Sequence, residues 1–146
     1  METDVYHHTQ VGWLTLAVLG MCALGAVLTG VYGETLARWI GGSVGVVLVG
    51  AAVVFSTLTV RVDDESVTWW FGPGWWTYSI ETDRIEDVEV VRTSVAEGWG
   101  IRYTPKGRLY NVSGRRAVGI RTSDGAFVRV GTDEPEALRE AIQQEI

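Results

Sequence analysis

The fold is decided by residues 9–60, TQVGWLTLAVLGMCALGAVLTGVYGETLARWIGGSVGVVLVGAAVVFSTLTV. Within this stretch the only charged side chains are those of Glu34 and Arg38, which separate two uncharged runs. A helix needs about 20 mostly apolar residues to cross the hydrocarbon core of a bilayer, and each run is long enough. The sequence therefore predicts two transmembrane helices, at about 11–32 and 39–58.

The connection between the two helices is too short to contain a domain. We therefore expect an antiparallel hairpin over residues 11–58, with both chain ends on the same side of the membrane. Arg38 is the only basic residue of the connection, whereas Arg61, Arg84 and Arg92 follow the second helix. Because basic residues near helix ends favour the cytoplasmic side, we expect a two-span protein of the cell membrane with both termini in the cytoplasm.

Residues 1–10 lack the basic start of a secretory signal peptide, since they carry Glu2, Asp4, His7 and His8. The first helix is therefore expected to be retained. We interpret residues 1–10 as a short N-terminal tail. In such a tail, two adjacent histidines are expected to be mobile rather than to bind a metal.

Gly41 and Gly45 form a GxxxG pair near the start of the second helix. Small residues let two helices approach closely. The pair has two interpretations, namely packing within the hairpin or a seam between copies of the chain. Neither predicted helix carries an ionisable residue, which a transporter or proton relay usually needs inside the membrane, so transport is disfavoured.

Residues 59–146 change to the alternation that is typical of half-buried strands. Seven strands are predicted, at about 58–62, 67–71, 76–80, 85–91, 99–103 with a continuation through 109–112, 117–121 and 127–130. Asp133 with Glu136 resembles a capping box for an amphipathic helix at about 134–146. The predicted fold is a membrane α-hairpin plus a mainly-β domain, a seven-stranded barrel or sandwich closed by this helix.

Four short motifs add a family resemblance: IEDV at 85–88, GWGIR at 98–102, AVGI at 117–120 and VRVGT at 128–132. With the hairpin before them and the strand and helix order around them, the chain resembles the bacterial pleckstrin-homology (PH) domain membrane proteins. The resemblance covers nearly the whole chain and implies a PH-like domain. Many members of that family have no assigned biochemical activity, and a fold alone does not carry a function, so the resemblance implies at most a membrane-tethered binding or scaffolding module. The acidic residues 63–65 depart from the basic turn with which many PH domains bind phosphoinositides.

The segment WWFGPGWW, residues 69–76, holds more aromatic rings than one sheet face can take, because alternate residues point to opposite faces. Trp69 and Trp76 are expected in the core, and Trp70 and Trp75 on the other face. If the turn comes back to the bilayer, Trp70 and Trp75 would lie at the headgroup level, where indole rings are favoured. The alternative is a cross-strand Trp pair that stabilises the hairpin without lipid.

Between Glu97 and Asp124 the chain contains no acidic side chain. The basic residues of this stretch are Arg102, Lys106, Arg108, Arg115, Arg116 and Arg121. If they converge, they would attract anionic lipid headgroups or an acidic partner. The alternative is a solvated sheet edge that neighbouring carboxylates neutralise.

The sequence shows no pattern of catalytic residues. Both histidines precede the first helix, so the β domain has no His for a catalytic triad or a metal site. The carboxylates of residues 83–89 are split between two faces by the strand alternation. There is no P-loop, GxGxxG, nucleophile elbow or zinc-ligand spacing. We therefore expect no enzyme, cofactor or metal, no nucleic-acid partner and no small-molecule substrate.

The leading hypothesis is a non-enzymatic, membrane-anchored PH-like module for binding or scaffolding at the membrane surface. Its expected partners are membrane lipids and another protein or a second copy of the chain. The alternative is a structural subunit or assembly factor of a larger membrane complex, recognised through its transmembrane hairpin.

Overall fold

A computed structural model describes residues 6–146 of the chain. Its elements in order are β1 (Tyr6–Val11), α1 (Trp13–Tyr32), α2 (Thr35–Phe55), β2 (Thr57–Val62), β3 (Ser66–Phe71), β4 (Thr77–Glu81), β5 (Ile85–Arg92), β6 (Gly100–Thr104), β7 (Gly107–Asn111), β8 (Arg116–Thr122), β9 (Phe127–Gly131) and α3 (Pro135–Glu145). Short 3₁₀ turns occupy Thr82–Arg84 and Val95–Glu97. The predicted order of two long apolar helices, a mainly-β domain and a C-terminal helix is confirmed.

The helices α1 and α2 are long and apolar enough to cross a membrane. No residue of α1 is buried, and in α2 only Gly41 and Gly45 are. Met21 and Val46, for example, are 73% and 75% exposed. A core helix of a water-soluble protein would bury such side chains, so this surface is suited to an apolar solvent.

The nine strands found in residues 6–146 form two sheets. Sheet A has the order β1-β2-β3-β4 and is antiparallel throughout. Sheet B has the order β5-β8-β9-β7-β6, and its β7 and β9 are parallel. The prediction left a barrel and a sandwich open: no closed barrel forms, and the described residues have nine strands rather than the predicted seven. One additional strand arises because Pro105, Lys106 and Gly107 turn the chain between β6 and β7, where Gly107 has a φ of +101°.

The other additional strand is β1, in the segment interpreted as a tail. Residues 6–11 pair along the whole of β2, from Tyr6 opposite Val62 to Val11 opposite Thr57. The hairpin brings these two strands together, because the backbone N–H of Gly12 donates to the Ser56 carbonyl oxygen at 2.7 Å. Residues 1–5 of the predicted tail lie outside the described residues. The β domain is thus built from segments on both sides of the helices.

The core lies between the two sheets and is covered by α3. Trp69 is at its centre, with its ring 5.3 Å from that of Tyr110 and 6.2 Å from that of Tyr78. Leu138 and Ile142 of α3 belong to the same buried cluster. The amphipathic spacing of the last helix therefore predicted its buried face correctly.

Two local expectations are wrong. Trp76 is 57% exposed rather than buried, because β4 begins at Thr77 and the preceding residues form the turn. The capping box expected from Asp133 does not form, because Glu134 is the N-cap residue of α3 and makes no side-chain cap. The carboxylate of Asp133 instead lies 2.7 Å from His8 Nε2, so this histidine of β1 is held by a side-chain hydrogen bond.

Candidate functional site

One end of the β domain, here called the proximal end, is attached to the helices by more than the chain itself. The hydroxyl of Thr15 in α1 donates to the Val112 carbonyl oxygen at 2.6 Å. At Gly72, an added Cβ would lie 2.6 Å from the carbonyl oxygens of Val53 and Val54, so the β3–β4 turn packs directly on the end of α2. These contacts, with the β1–β2 pairing, fix the orientation of the domain on the helices.

The opposite end, here called the distal end, is formed by the connections that point away from the helices. Gly100 pairs with Asn111 next to the Thr15 contact, so the β6–β7 turn at the other end of these strands is distal. The same holds for the β8–β9 turn, because Arg121 pairs with Phe127 there. Residues 82–84 lead from the distal end of sheet A into sheet B.

A concave surface of about 1050 Å³, the basic groove, begins at the distal end and extends along β5. Its cationic side chains are Arg84, Arg92, Lys106, Arg108, Arg121 and Arg129. The acidic side chains among its lining residues are Glu89 and Asp124. The groove therefore has a net positive charge, although the net charge of the whole chain is −6.

Contacts within the groove hold several of its cations in place. Arg84 Nη2 donates to Asp124 Oδ2 at 2.9 Å. The Arg121 guanidinium carbon lies 5.2 Å from the centre of the Phe127 ring, a cation–π distance. A guanidinium supported in this way loses little further side-chain entropy when it binds an anion, which favours binding.

Arg129 is the most buried cation of the groove, with 2% of its side chain exposed. Its Nη2 donates to Glu97 Oε1 at 2.8 Å and to Thr104 Oγ1 at 2.6 Å. The hydrogen bond from Arg129, followed by that from the Ser94 backbone N–H, lowers the pKa of Glu97 below its usual 4.5. The Nε atom of Arg129 is buried and has no hydrogen-bond partner within residues 6–146.

The structure divides the predicted basic stretch between the two ends of the domain. Lys106, Arg108 and Arg121 come together in the basic groove. Arg115 and Arg116 lie in and after the proximal turn, where Arg116 Nη2 donates to the Asp133 carbonyl oxygen at 2.9 Å. The remaining cation of the stretch, Arg102, borders a different cavity beside α1 and donates to the Trp99 carbonyl oxygen at 3.1 Å. The six cations therefore do not form one surface.

The aromatic turn at residues 72–76 lies at the proximal end, against α2. Trp75 is 68% exposed, and its ring centre is 6.3 Å from that of Trp76 in an edge-to-face arrangement. Trp70 is half-buried on the outer face of sheet A, with its ring centre 6.2 Å from that of His7. Trp70 and Trp75 therefore do not stack on each other. Trp70 lies on the outer face of sheet A, and Trp75 lies in the β3–β4 turn.

The two glycines of the GxxxG pair face α1. A Cβ added to Gly41 would lie 2.7 Å from the Ala26 carbonyl oxygen, and one added to Gly45 would lie 3.7 Å from the Ala26 Cβ. The neighbouring Gly42 faces open space. The pair therefore serves the contact between α1 and α2 within one chain.

Within residues 6–146 no group of three or more His, Cys, Asp and Glu side chains is arranged to hold a metal ion. The groove cations that sequence reasoning missed are Arg84, Arg92 and Arg129. Arg129 stands between two buried valines of β9, Val128 and Val130. The signal for its burial was Ser94 followed by Glu97, which form a capping box that folds residues 95–97 back over sheet B.

No protein-family model matches the chain, and a search of curated proteins finds no match.

Proposed function

We propose that the protein is a non-enzymatic, membrane-anchored binding module, whose domain holds the basic groove away from the bilayer to bind an acidic segment of a protein partner. The observation that carries this proposal is the position of Lys106, Arg108 and Arg121, the groove cations that lie at the distal end of a domain that is fixed to its anchor. This end of the groove faces the aqueous phase rather than the lipid surface. Anionic headgroups are therefore a less suitable ligand for Lys106, Arg108 and Arg121 than a soluble acidic surface.

Protein recognition suits the groove better than catalysis does. Its cations are supported by an ion pair and by aromatic rings, and charge complementarity of this kind steers and orients a partner. General acid–base chemistry would need a group that titrates near neutral pH. Among the described residues, the carboxylates with shifted pKa values, Glu97 and Asp124, are shifted downwards and away from neutrality.

We also propose that α1 and α2 span the cell membrane and that both termini lie in the cytoplasm. The exposed apolar helix surface supports the first statement, and the basic residues that follow α2 support the second. A relation to the bacterial PH-domain proteins is proposed on the two sheets and the C-terminal helix. The nine strands and the parallel pairing of β7 with β9 depart from the seven strands that the resemblance implied.

The alternative of recognition through the hairpin has less support. Gly41 and Gly45 would have formed the interface with the other subunit. The contact between α1 and α2 within the chain already buries both glycines. A hairpin subunit also would not need a domain that is held at a defined orientation.

The proposal is tested by co-purification of the full chain in mild detergent, with quantitative mass spectrometry of the proteins that accompany it. In a Lys106→Glu, Arg121→Glu variant we expect the specific partner to fall at least about tenfold, because two attractive charges become repulsive. The matched control, Arg115→Glu, Arg116→Glu, makes the same change of charge at the proximal end and should retain the partner. Raising the salt concentration should weaken the parent complex.

Two outcomes would contradict the proposal. In one, the groove variant retains the partner as well as the control variant does. In the other, a chain of residues 1–60, which lacks sheet B, captures the same proteins as the full chain.

A further inference from the structure

A second cavity, of about 620 Å³, lies where the proximal end meets the helices. Its helix side is formed by Thr15, Val18 and Leu19 of α1 and by Ala51 and Phe55 of α2. On the domain side it is bordered by residues 98–102 and 111–112. Its volume is within the roughly 300–1,000 Å³ that is usual for sites that hold small molecules.

The domain contacts the helices at two places, and the cavity is the space left between these two contacts. Thr15 is bound to Val112, and the Phe55 ring packs on that of Phe71 at 5.6 Å. The segment at 98–102 contains two glycines in the left-handed region, at φ +75° and +91°. A Cβ added to Gly100 would meet nothing within 4 Å, so no side chain fills the space there.

The chemistry of the lining changes from one end of the cavity to the other. Apart from Thr15, whose hydroxyl is bound to Val112, the helix residues are apolar, and they lie in the first turns of α1 and the last turns of α2, the ends of the proposed spans. At the rim are the amphipathic ring of Trp99 and the exposed guanidinium of Arg102. An apolar wall that is continuous with the spans, with a cation at its outer end, matches an acyl chain followed by a phosphate.

We propose that this cavity holds one phospholipid, with an acyl chain between α1, α2 and the domain and its phosphodiester at Arg102. The inference rests on the proposed membrane insertion but not on the basic groove or its partner. The lipid fills a space that the chain leaves open. It thereby completes the contact between the anchor and the domain.

The test is native mass spectrometry of the full chain, released from detergent after purification from membranes. The parent should retain one phospholipid per chain. Ala51→Phe should reduce this retention at least about tenfold, because the ring occupies the cavity. Gly50→Phe, whose added side chain points into open space, should retain the lipid.

A charge comparison tests the headgroup contact without changing the apolar wall. Arg102→Glu should reduce retention, whereas Arg115→Glu, an equal change of charge at the same end of the domain, should not. Both side chains are exposed, so neither change should prevent folding. The proposal is overturned if the parent carries no lipid, or if Arg102→Glu retains as much as Arg115→Glu does.

This result is separable from the proposed function. Loss of the lipid from Arg102→Glu with the protein partner still bound would support the cavity and leave the groove intact. An empty cavity in a chain that still purifies from membranes overturns the lipid proposal alone.

Discussion

At the scale of single residues, the ion pair of Arg129 and Glu97 contributes both to the stability of the fold and to the lining of the basic groove. Arg129 is almost fully buried and lines the basic groove, and Glu97 holds it from a turn that crosses sheet B. Removing one partner of a buried ion pair leaves a charge without compensation, which costs more than the pair contributes. We expect Glu97→Gln to lower the free energy of unfolding at pH 7 by about 1–2 kcal/mol.

The same pair predicts how stability depends on pH. The folded state lowers the pKa of Glu97, so its contribution is complete above the usual pKa of 4.5 and is lost as the pH falls through the lowered value. Thermal unfolding of the full chain in detergent, followed by near-ultraviolet circular dichroism, should show this acid-side decrease in the parent. The decrease in stability at acid pH should be smaller in Glu97→Gln. In Glu140→Gln, which changes an exposed residue of α3, the decrease should equal that of the parent. Equal slopes for all three proteins would contradict the prediction.

At the scale of elements, the position of the β3–β4 turn places Trp75 next to the end of α2. The sequence hypothesis put Trp70 and Trp75 at the headgroup level. Trp75 is the better placed of the two, because it is exposed in the turn that packs on Val53 and Val54.

Spin labels measure this depth directly. The only Cys of the chain, Cys22, is replaced by Ala, and one new Cys is introduced in each of two variants. In bilayers, a label at Trp75→Cys should be more accessible to oxygen, which concentrates in lipid, than to a water-soluble nickel complex. A label at Lys106→Cys, in the distal turn, should show the opposite preference. The same preference at both positions would show that the domain is not oriented as described.

At the scale of the whole molecule, the helices interrupt the β domain rather than precede it. Val11 and Thr57 are paired in sheet A, and residues 12–56, which form the helical hairpin, connect them. Replacing residues 12–56 by Asn-Gly, a good two-residue hairpin turn, should therefore give a water-soluble, folded domain. A chain that simply begins at Thr57 should aggregate, because it leaves the edge of β2 unpaired. Size-exclusion chromatography with circular dichroism compares the two; a monomeric, folded truncation would argue against an essential β1.

The sequence predicted what depends on local pattern and missed what depends on distant partners. The apolar runs and the alternation are local signals, and they placed both helices and most strands within a few residues. Nothing local in residues 6–11 shows that β2 will lie beside them, so β1 was interpreted as a tail. The basic groove could not be predicted for the same reason. Arg84, Arg121 and Arg129 are distant in sequence, and only the order of strands in sheet B brings them into one groove.

The interruption of sheet A by the hairpin has a consequence for biosynthesis. The ribosome releases β1 first, and β1 has no partner until both helices have been made and β2 has followed them. If α1 and α2 span the membrane as proposed, a nascent chain that inserts only one of them leaves β1 and β2 on opposite sides of the bilayer, where they cannot pair. Such a chain would keep an open strand edge that chaperones and proteases can recognise. Under the proposed insertion, the β domain can be completed only after both helices have crossed the bilayer.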